Sequence, residues 1–228
     1  MQTVDLKVDG HNWRAHLRDE ADQSVFNEIF KLDEYRAAKS AIQNAKDPIV
    51  DVGAHAGFFT MYCRVLNDKV KIFAVEPETE NVRALKQHLK ENKIKGVKVV
   101  AGALAQETGE RKLLISKDGH NHRLALDVGD NENSVPVKAL SFADFCQQNK
   151  ITSISVLKID VEGGEYELFA GMSEPDLSVV NFVILEYHKG GQYKEIENKL
   201  RIAGFGVQIF PSHFDKTMGF VWAKNKRV

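Results

Sequence analysis

Cysteine is scarce in this sequence. Cys63 and Cys146 are its only two, they stand far apart, and neither belongs to a CxxC or CxxH spacing. That gives no support to a disulfide framework, argues against a structural zinc and leaves two buried, reduced thiols as the expectation. Long apolar runs are missing as well: no stretch approaches the roughly 20 residues that a membrane-spanning helix needs. The opening residues Met1–Leu6 have neither the charged nor the apolar region of a signal peptide, so a cytoplasmic location with no membrane partner is expected. Charge of one sign is lacking too. The formal net charge is −1, which provides no global basic field to attract nucleic acid and leaves room only for a local patch. Internal repeats, low-complexity tracts and a linker between domains are absent. What remains is a chain of 228 residues, 43% hydrophobic and 28% charged, which suits a single α/β domain over 1–228 with enough chain to bury a full core.

The stretch Ile49–Thr60, Ile-Val-Asp-Val-Gly-Ala-His-Ala-Gly-Phe-Phe-Thr, organises the rest. Pro48 admits an extended run Ile49–Val52 that reads as a strand buried on both faces, Gly53 to Gly57 reads as a tight turn, and Phe58–Leu66 has helical periodicity. Strand, glycine turn and helix form the opening half of a nucleotide-binding crossover, where free helix N–H groups favour a ligand carboxylate or phosphate. The spacing Asp51-x-Gly53-x-x-x-Gly57 departs from the dinucleotide fingerprint G-x-G-x-x-G, with Ala54 and Ala56 where a central glycine would stand and an acid at the strand's end. That carboxylate would repel a pyrophosphate, yet it suits an ammonium group. A ligand carrying both an amino group and a nucleoside fits, and S-adenosylmethionine is the commonest. Val70–Val75 reads as the second strand, ending in Glu76-Pro77 about 20 residues on, where an acid accepts hydrogen bonds from a ribose diol.

Around this nucleus the chain divides into a preamble over 1–46 and a core over 47–228. Val4–Val8 and Trp13–Leu17 alternate about Asp9-Gly10, which predicts a β-hairpin. Ser24 is expected to cap a helix Val25–Phe30, and Tyr35–Ala45 to form a second helix over the nucleotide site. Val25, Ile29 and Phe30 read as core, with Tyr35 and Arg36 as the only ligand-facing candidates. In the core, Thr79 is expected to cap Glu80–Asn92, and Val97–Ala101 to be the third strand. The small residues Gly102-Ala103-Leu104-Ala105 would let an adenine ring lie flat. Residues 108–140 interrupt the rhythm with short strands Arg111–Ile115 and Val135–Leu140. Between them His120 and His122 find no nearby Cys or acid to complete a metal spacing, which leaves a polar loop over the substrate pocket or a solvated one. Ser141 is expected to cap Phe142–Gln148. Ile154–Val161 then runs into Glu162-Gly163-Gly164-Glu165, placing Asp160 and Glu162 where ligands of open parallel sheets bind. Lys158 shares Asp160's side of that strand, so an ion pair competes with ligand contact. Val179–Leu185 ends in Glu186-Tyr187-His188, where His188 is either a base near neutral pH or a satisfied hydrogen-bonding histidine. After the helix Tyr193–Ala203, Val207–Phe210 and Phe220–Lys224 predict a closing antiparallel hairpin.

Four motifs together resemble the FkbM-type S-adenosylmethionine-dependent methyltransferases: Asp51–Thr60, Val75-Glu-Pro77, Leu157-Lys-Ile-Asp-Val-Glu-Gly-Gly-Glu165 with Phe169-Ala-Gly171, and Leu185-Glu-Tyr-His188. The likeness covers roughly Phe26 to Ala223, and the Lys-Ile-Asp-Val-Glu-Gly run is its most characteristic part. His55 stands where members often have Asn, and Ala56 where they have a bulkier residue, with the glycine spacing intact. The resemblance implies a Rossmann-like class I fold, with a mostly parallel seven-stranded sheet, a terminal antiparallel hairpin, and the N-terminal hairpin and helices as additions. It implies an O-methyltransferase acting on a hydroxyl of a sugar, polyketide or glycolipid. Asp51, Gly53, Ala54 and Gly57 would hold the methionine end of the cofactor, Glu76 its ribose and Ala103 its adenine, with His55 also cofactor-binding and Asp160 beside the methyl donor. Asp160 and His188 are the candidate bases or hydroxyl-orienting groups, with no metal assigned. A variant reading sets a divalent ion between Asp160, Glu162 and a substrate diol. A methyltransferase acting on protein or nucleic acid, and a non-catalytic nucleotide-binding protein, are the competing functions, and a homodimer is neither required nor barred.

Overall fold

Apolar residues that face both layers build the centre of the molecule. The computed structural model describes residues 2–8, 10–115, 123–124, 134–212 and 215–227. The hairpin β1 (Gln2–Val8) and β2 (His11–Leu17) comes first, paired antiparallel from Gln2↔Leu17 to Val8↔His11. Helix α1 (Glu20–Phe30) starts earlier than expected, because Asp19 caps it by accepting from the Asp22 amide, while the Ser24 hydroxyl donates to Glu28 inside the helix. The second predicted helix is split into a 3-10 turn over Arg36–Ala38 and the short α2 (Lys39–Gln43).

The core alternates strand and helix: β3 (Ile49–Val52), α3 (Phe58–Leu66), β4 (Ile72–Glu76), α4 (Thr79–Glu91) and β5 (Val97–Ala101). Strand β4 starts two residues later than predicted, because the Val70 carbonyl accepts from Arg64 instead of joining the ladder. Glu78, not Thr79, caps α4 by accepting from the amides of Glu80 and Asn81. The 103–141 excursion contains β6 (Ala103–Ala105), β7 (Gly109–Leu114), β8 (Arg123–Leu124) and β9 (Ser134–Ser141). These four build a sheet of their own, in the order β6-β9-β7-β8, which the sequence patterns did not foretell. His120 and His122 lie outside the described residues. The chain then forms α5 (Phe142–Asn149, capped by Ser141), β10 (Val156–Ile159), α6 (Glu165–Gly171), α7 (Glu174–Ser178), β11 (Phe182–Tyr187), α8 (Tyr193–Ile202), β12 (Phe205–Pro211) and β13 (Gly219–Asn225).

The main sheet has seven strands in the order β12-β13-β11-β10-β3-β4-β5, parallel from β11 to β5 and antiparallel through β13. Because side chains alternate across a strand, Val50, Val52, Leu157, Ile159, Val183 and Leu185 enter the core under α5, α6 and α8. Ile49, Val156 and Ile184 enter the other core, packed under α1, α2 and α3 with the hairpin. Asp51, Lys158, Asp160, Glu186 and His188 have the parity of that second face. The strand order reverses between β3 and β10, which opens a crevice at their carboxyl ends.

Candidate active site

A cavity of about 910 Å3, counted to its mouth, occupies that crevice. Its floor is the turn after β3. Gly53 (φ +76) and Gly57 (φ +88) take left-handed conformations that glycine adopts without strain, and a Cβ on Gly53 would come within 1.7 Å of the Asp160 carbonyl oxygen. His55 also adopts positive φ, at +49. The turn is closed upon itself: the Gly53 and Ala54 amides donate to the Val75 carbonyl, the Gly57 amide to that of Ala54, and the His55 amide to Glu76 Oε2 at 2.8 Å. The N–H groups of these four residues are therefore committed within the protein. Gly53, Ala54 and His55 line the cavity, and Gly57 does not.

Glu76, at the end of β4, is buried and lines the cavity. Desolvation pushes its carboxyl up to about 7, against hydrogen bonds from the Glu78 and His55 amides and from Asn81. Beside it, Ala103 and Leu104 of β6, Leu113 of β7 and Leu124 of β8 form an apolar wall, so the small sheet contributes directly to the site. Val25 and Ile29 of α1 and Tyr35 line it from above; Val25 and Ile29 belong to the core under α1, as expected, and Tyr35 was one of the two ligand-facing candidates. Arg36 is not among the lining residues.

Asp51 is where the structure corrects the sequence reading most. It has no exposed surface and does not line the cavity. Its Oδ2 accepts from the Thr60 hydroxyl at 2.7 Å, and its Oδ1 lies 3.4 Å from Lys158 Nζ. The parallel register that pairs Lys158 with Asp51 makes this contact unavoidable. Lys158 Nζ also donates to the Gly53 carbonyl at 2.7 Å and lies 3.5 Å from Asp160 Oδ2. Burial alone would lower the Lys158 pKa, but Asp160 and Asp51 raise it above the ordinary value. Of the two carboxylates, Asp160, partly exposed, lines the cavity and Asp51 does not. Asp160 pairs with Lys158, one of the two readings of that residue, and also lines the cavity.

Acidic groups gather at the far end. His188 Nε2 lies 3.5 Å from Glu162 Oε2, 3.9 Å from Asp160 Oδ1 and 4.0 Å from Glu186 Oε1, and its Nδ1 lies 3.4 Å from Glu165 Oε1. Desolvation opposes charge on the ring, yet Glu165, Asp160 and Glu162 prevail and raise its pKa to about 10. An imidazole already protonated at neutral pH has no lone pair for a substrate proton. That favours the neighbouring carboxylates over His188 as the proton acceptor and leaves His188 the hydroxyl-orienting role. Glu162 lines the cavity, and desolvation first, then the Asp160 charge, raises its pKa to about 7.

One network went unread in the sequence. Arg18 donates to both oxygens of the fully buried Asp22 and to Asn81 Oδ1, each at 2.7 Å, and Asn81 Nδ2 reaches Glu76 Oε1 at 3.4 Å. Burial would raise the Asp22 pKa, but the Arg18 hydrogen bonds hold it below the usual carboxylate range. His55 Nε2 stands 3.5 Å from Asp22, and desolvation lowers the ring's pKa to about 4, leaving it neutral. The i,i+4 spacing of Arg18 and Asp22 was the available signal.

Comparison with known proteins agrees with this architecture. Residues 51–207 match the family described as Methyltransferase FkbM domain. The chain is 26% identical over 196 residues to hexuronic acid methyltransferase AglP of Haloferax volcanii, covering 82% of this chain and 77% of that protein. It is 24% identical over 223 residues to 31-O-demethyl-FK506 methyltransferase FkbM of Streptomyces tacrolimicus, covering 85% of each. The crystal structure of methyltransferase FkbM from Methylobacillus flagellatus superposes with a TM-score of 0.56 at 15% identity, over 77% of this chain and 43% of that one, a likeness of fold alone. The chain belongs to the FkbM methyltransferase family and is itself a methyltransferase.

Proposed function

We propose that the protein moves the methyl group of S-adenosylmethionine to a hydroxyl of a small molecule. The observation that carries this reading is one cavity with two chemically distinct ends: a buried strand-end carboxylate beside an apolar wall, and a partly exposed group of carboxylates. The residues present fit the cofactor. Glu76 Oε2, which accepts only from the His55 amide, retains a lone pair for a ribose hydroxyl, Ala103, Leu104, Leu113 and Leu124 offer an apolar face to adenine, and Asp160 offers a carboxylate to the ammonium. When bound, S-adenosylmethionine supplies a sulfonium methyl that is already activated. The protein's own task is then to align an oxygen, exclude water and receive a proton. Val25, Ile29 and Tyr35 exclude water from above. Glu162, poised near neutrality, accepts the hydroxyl proton, and Asp160 orients the acceptor. The relatives named for a hexuronic acid and for 31-O-demethyl-FK506 are consistent with a hydroxylated small molecule as acceptor.

Calorimetric titration with S-adenosylhomocysteine, with NAD as a parallel control, tests the cofactor assignment. Micromolar binding that weakens about tenfold or more in Glu76→Ala is expected, as for a lost charge-assisted hydrogen bond. NAD binding in its place would overturn the reading. Labelled methyl transfer to a panel of hydroxylated acceptors then tests the acceptor class.

A further inference from the structure

Asp160, Glu186 and His188 each present one ligand atom, and these atoms all lie within 4.8 Å of one another. All three share the β-strand parity that points toward α1 and α3, and they come from the adjacent strand ends of β10 and β11. Among the described residues, no hydrogen-bond donor serves the Glu186 or Glu162 carboxylate, and the cations beside this group are Lys158, 3.5 Å from Asp160 Oδ2, and the His188 ring. His188 is more than nine-tenths buried and its Nε2 points into this group, with no hydrogen bond to any of its members.

The other side of the imidazole is built to hold it there. Glu165 has no exposed surface. Its Oε1 accepts from the His188 backbone amide at 2.7 Å and its Oε2 from the Gly163 amide at 2.9 Å, which fixes the carboxylate 3.4 Å from His188 Nδ1. A carboxylate on the far nitrogen of a ligating histidine sets the tautomer that leaves Nε2 free to coordinate. Glu162, whose backbone takes φ +52 beside Gly163 at +100, brings another oxygen to 3.5 Å from Nε2.

We propose that Asp160, Glu186 and His188 bind one divalent metal ion at the acceptor end of the cavity, with Glu165 as the residue that positions His188. Separations of 3.9 Å and 4.0 Å between Nε2 and the two carboxylate oxygens need only small side-chain rotations to surround an ion bonded at about 2.1 Å. One imidazole with two carboxylates suits Mn2+, Zn2+ or Mg2+ better than a thiophilic ion. Asp160 and Glu162 line the cavity, so the remaining coordination positions face the ligand space. Resting on the methyl-transfer reading above, the acceptor is then a molecule with two neighbouring oxygens, a vicinal diol or a hydroxy acid.

The test is titration of the chelator-treated, dialysed full chain with MnCl2, followed by calorimetry and electron paramagnetic resonance. One equivalent bound in the micromolar range is expected. Binding should weaken at least tenfold in His188→Ala and in Glu186→Gln, and by about 10–100-fold in Glu165→Gln. Nitrogen hyperfine coupling to bound Mn2+ reports the imidazole in the unaltered protein, independently of whether any variant folds. Absence of saturable Mn2+ and Zn2+ binding below the millimolar range, absence of that coupling, or undiminished binding in both folded ligand variants would overturn the proposal. S-adenosylhomocysteine titrated into the same samples separates the two readings. Its binding without metal binding removes the metal site alone, and metal binding without it removes the cofactor assignment alone.

Discussion

A carboxylate with no exposed surface survives in this core because Lys158 lies 3.4 Å away and Thr60 donates to it. Removing the cation without removing the charge leaves Asp51 buried and uncompensated, so Lys158→Met is expected to destabilise the fold by about 3–5 kcal/mol. Denaturant unfolding measures it, and Asp51→Asn in the same background should restore part of the loss. Glu76 gives a second test. Its folded pKa of about 7 exceeds the ordinary 4.5. Through that window the folded chain keeps a proton that the unfolded chain has lost, so the group's contribution to stability declines as pH rises. Ribose hydroxyls donate hydrogen bonds and favour the ionised form. S-adenosylhomocysteine should therefore bind more tightly as pH rises toward 7 and level off above it, and Glu76→Gln, which does not titrate, should show no such rise. Calorimetry across that range decides. Glu76 and Asp160 were legible because each acid directly follows a run that must be buried. The partner of Asp51 was not, since it depends on the register of β3 against β10, two strands far apart in sequence.

The preamble reaches the Glu76 end of the cavity by two routes. In one, Arg18 ties α1 through Asp22 and Asn81 to Glu76. In the other, the His16 amide donates to His88 Nε2 at 2.8 Å, which leaves Nδ1 to donate to the Ala56 carbonyl at 2.8 Å and so connects the hairpin to the glycine turn. Arg18→Ala removes charge-assisted bonds to a buried carboxylate, and a loss of about 1.5–3 kcal/mol is expected. If the network also holds Glu76 in place, S-adenosylhomocysteine affinity falls in the same variant even where the protein is fully folded. An unchanged affinity would confine Arg18 to a purely stabilising role. The sequence revealed the hairpin, the helix capped by Ser141 and the alternating crossovers, whose signals are local. It misplaced the start of α1 because Asp19 and Ser24 are both good caps and only packing chooses between them. The second sheet escaped notice because β6 is three residues long and pairs in parallel with residues 139–141.

Seven strands and the terminal antiparallel pair were readable from apolar runs, but the reversal of order at β3 and β10 is a long-range property that no single run encodes. That reversal brings the ends of β3, β4 and β10 together under α1, so a bound cofactor would touch segments far apart in sequence while leaving β12 and β13 alone. Ligand binding stabilises whatever it contacts only in the folded state. With S-adenosylhomocysteine at a hundredfold excess over its Kd, the gain is about 2.7 kcal/mol, or roughly 5–11 °C in Tm for a chain of this size. Hydrogen exchange gives the gain a location. Protection should increase over α1, the 53–57 turn, the start of α4, β6 and residues 160–164, and stay unchanged in the β12–β13 pair. Phe26 of α1, fully buried and edge-on to Phe58 of α3 at 5.7 Å between ring centres, makes the roof part of the same core as the floor. The two should therefore gain protection together. Protection confined to the 53–57 turn, with α1 unaffected, would mean that the roof packs on the core without closing over the ligand.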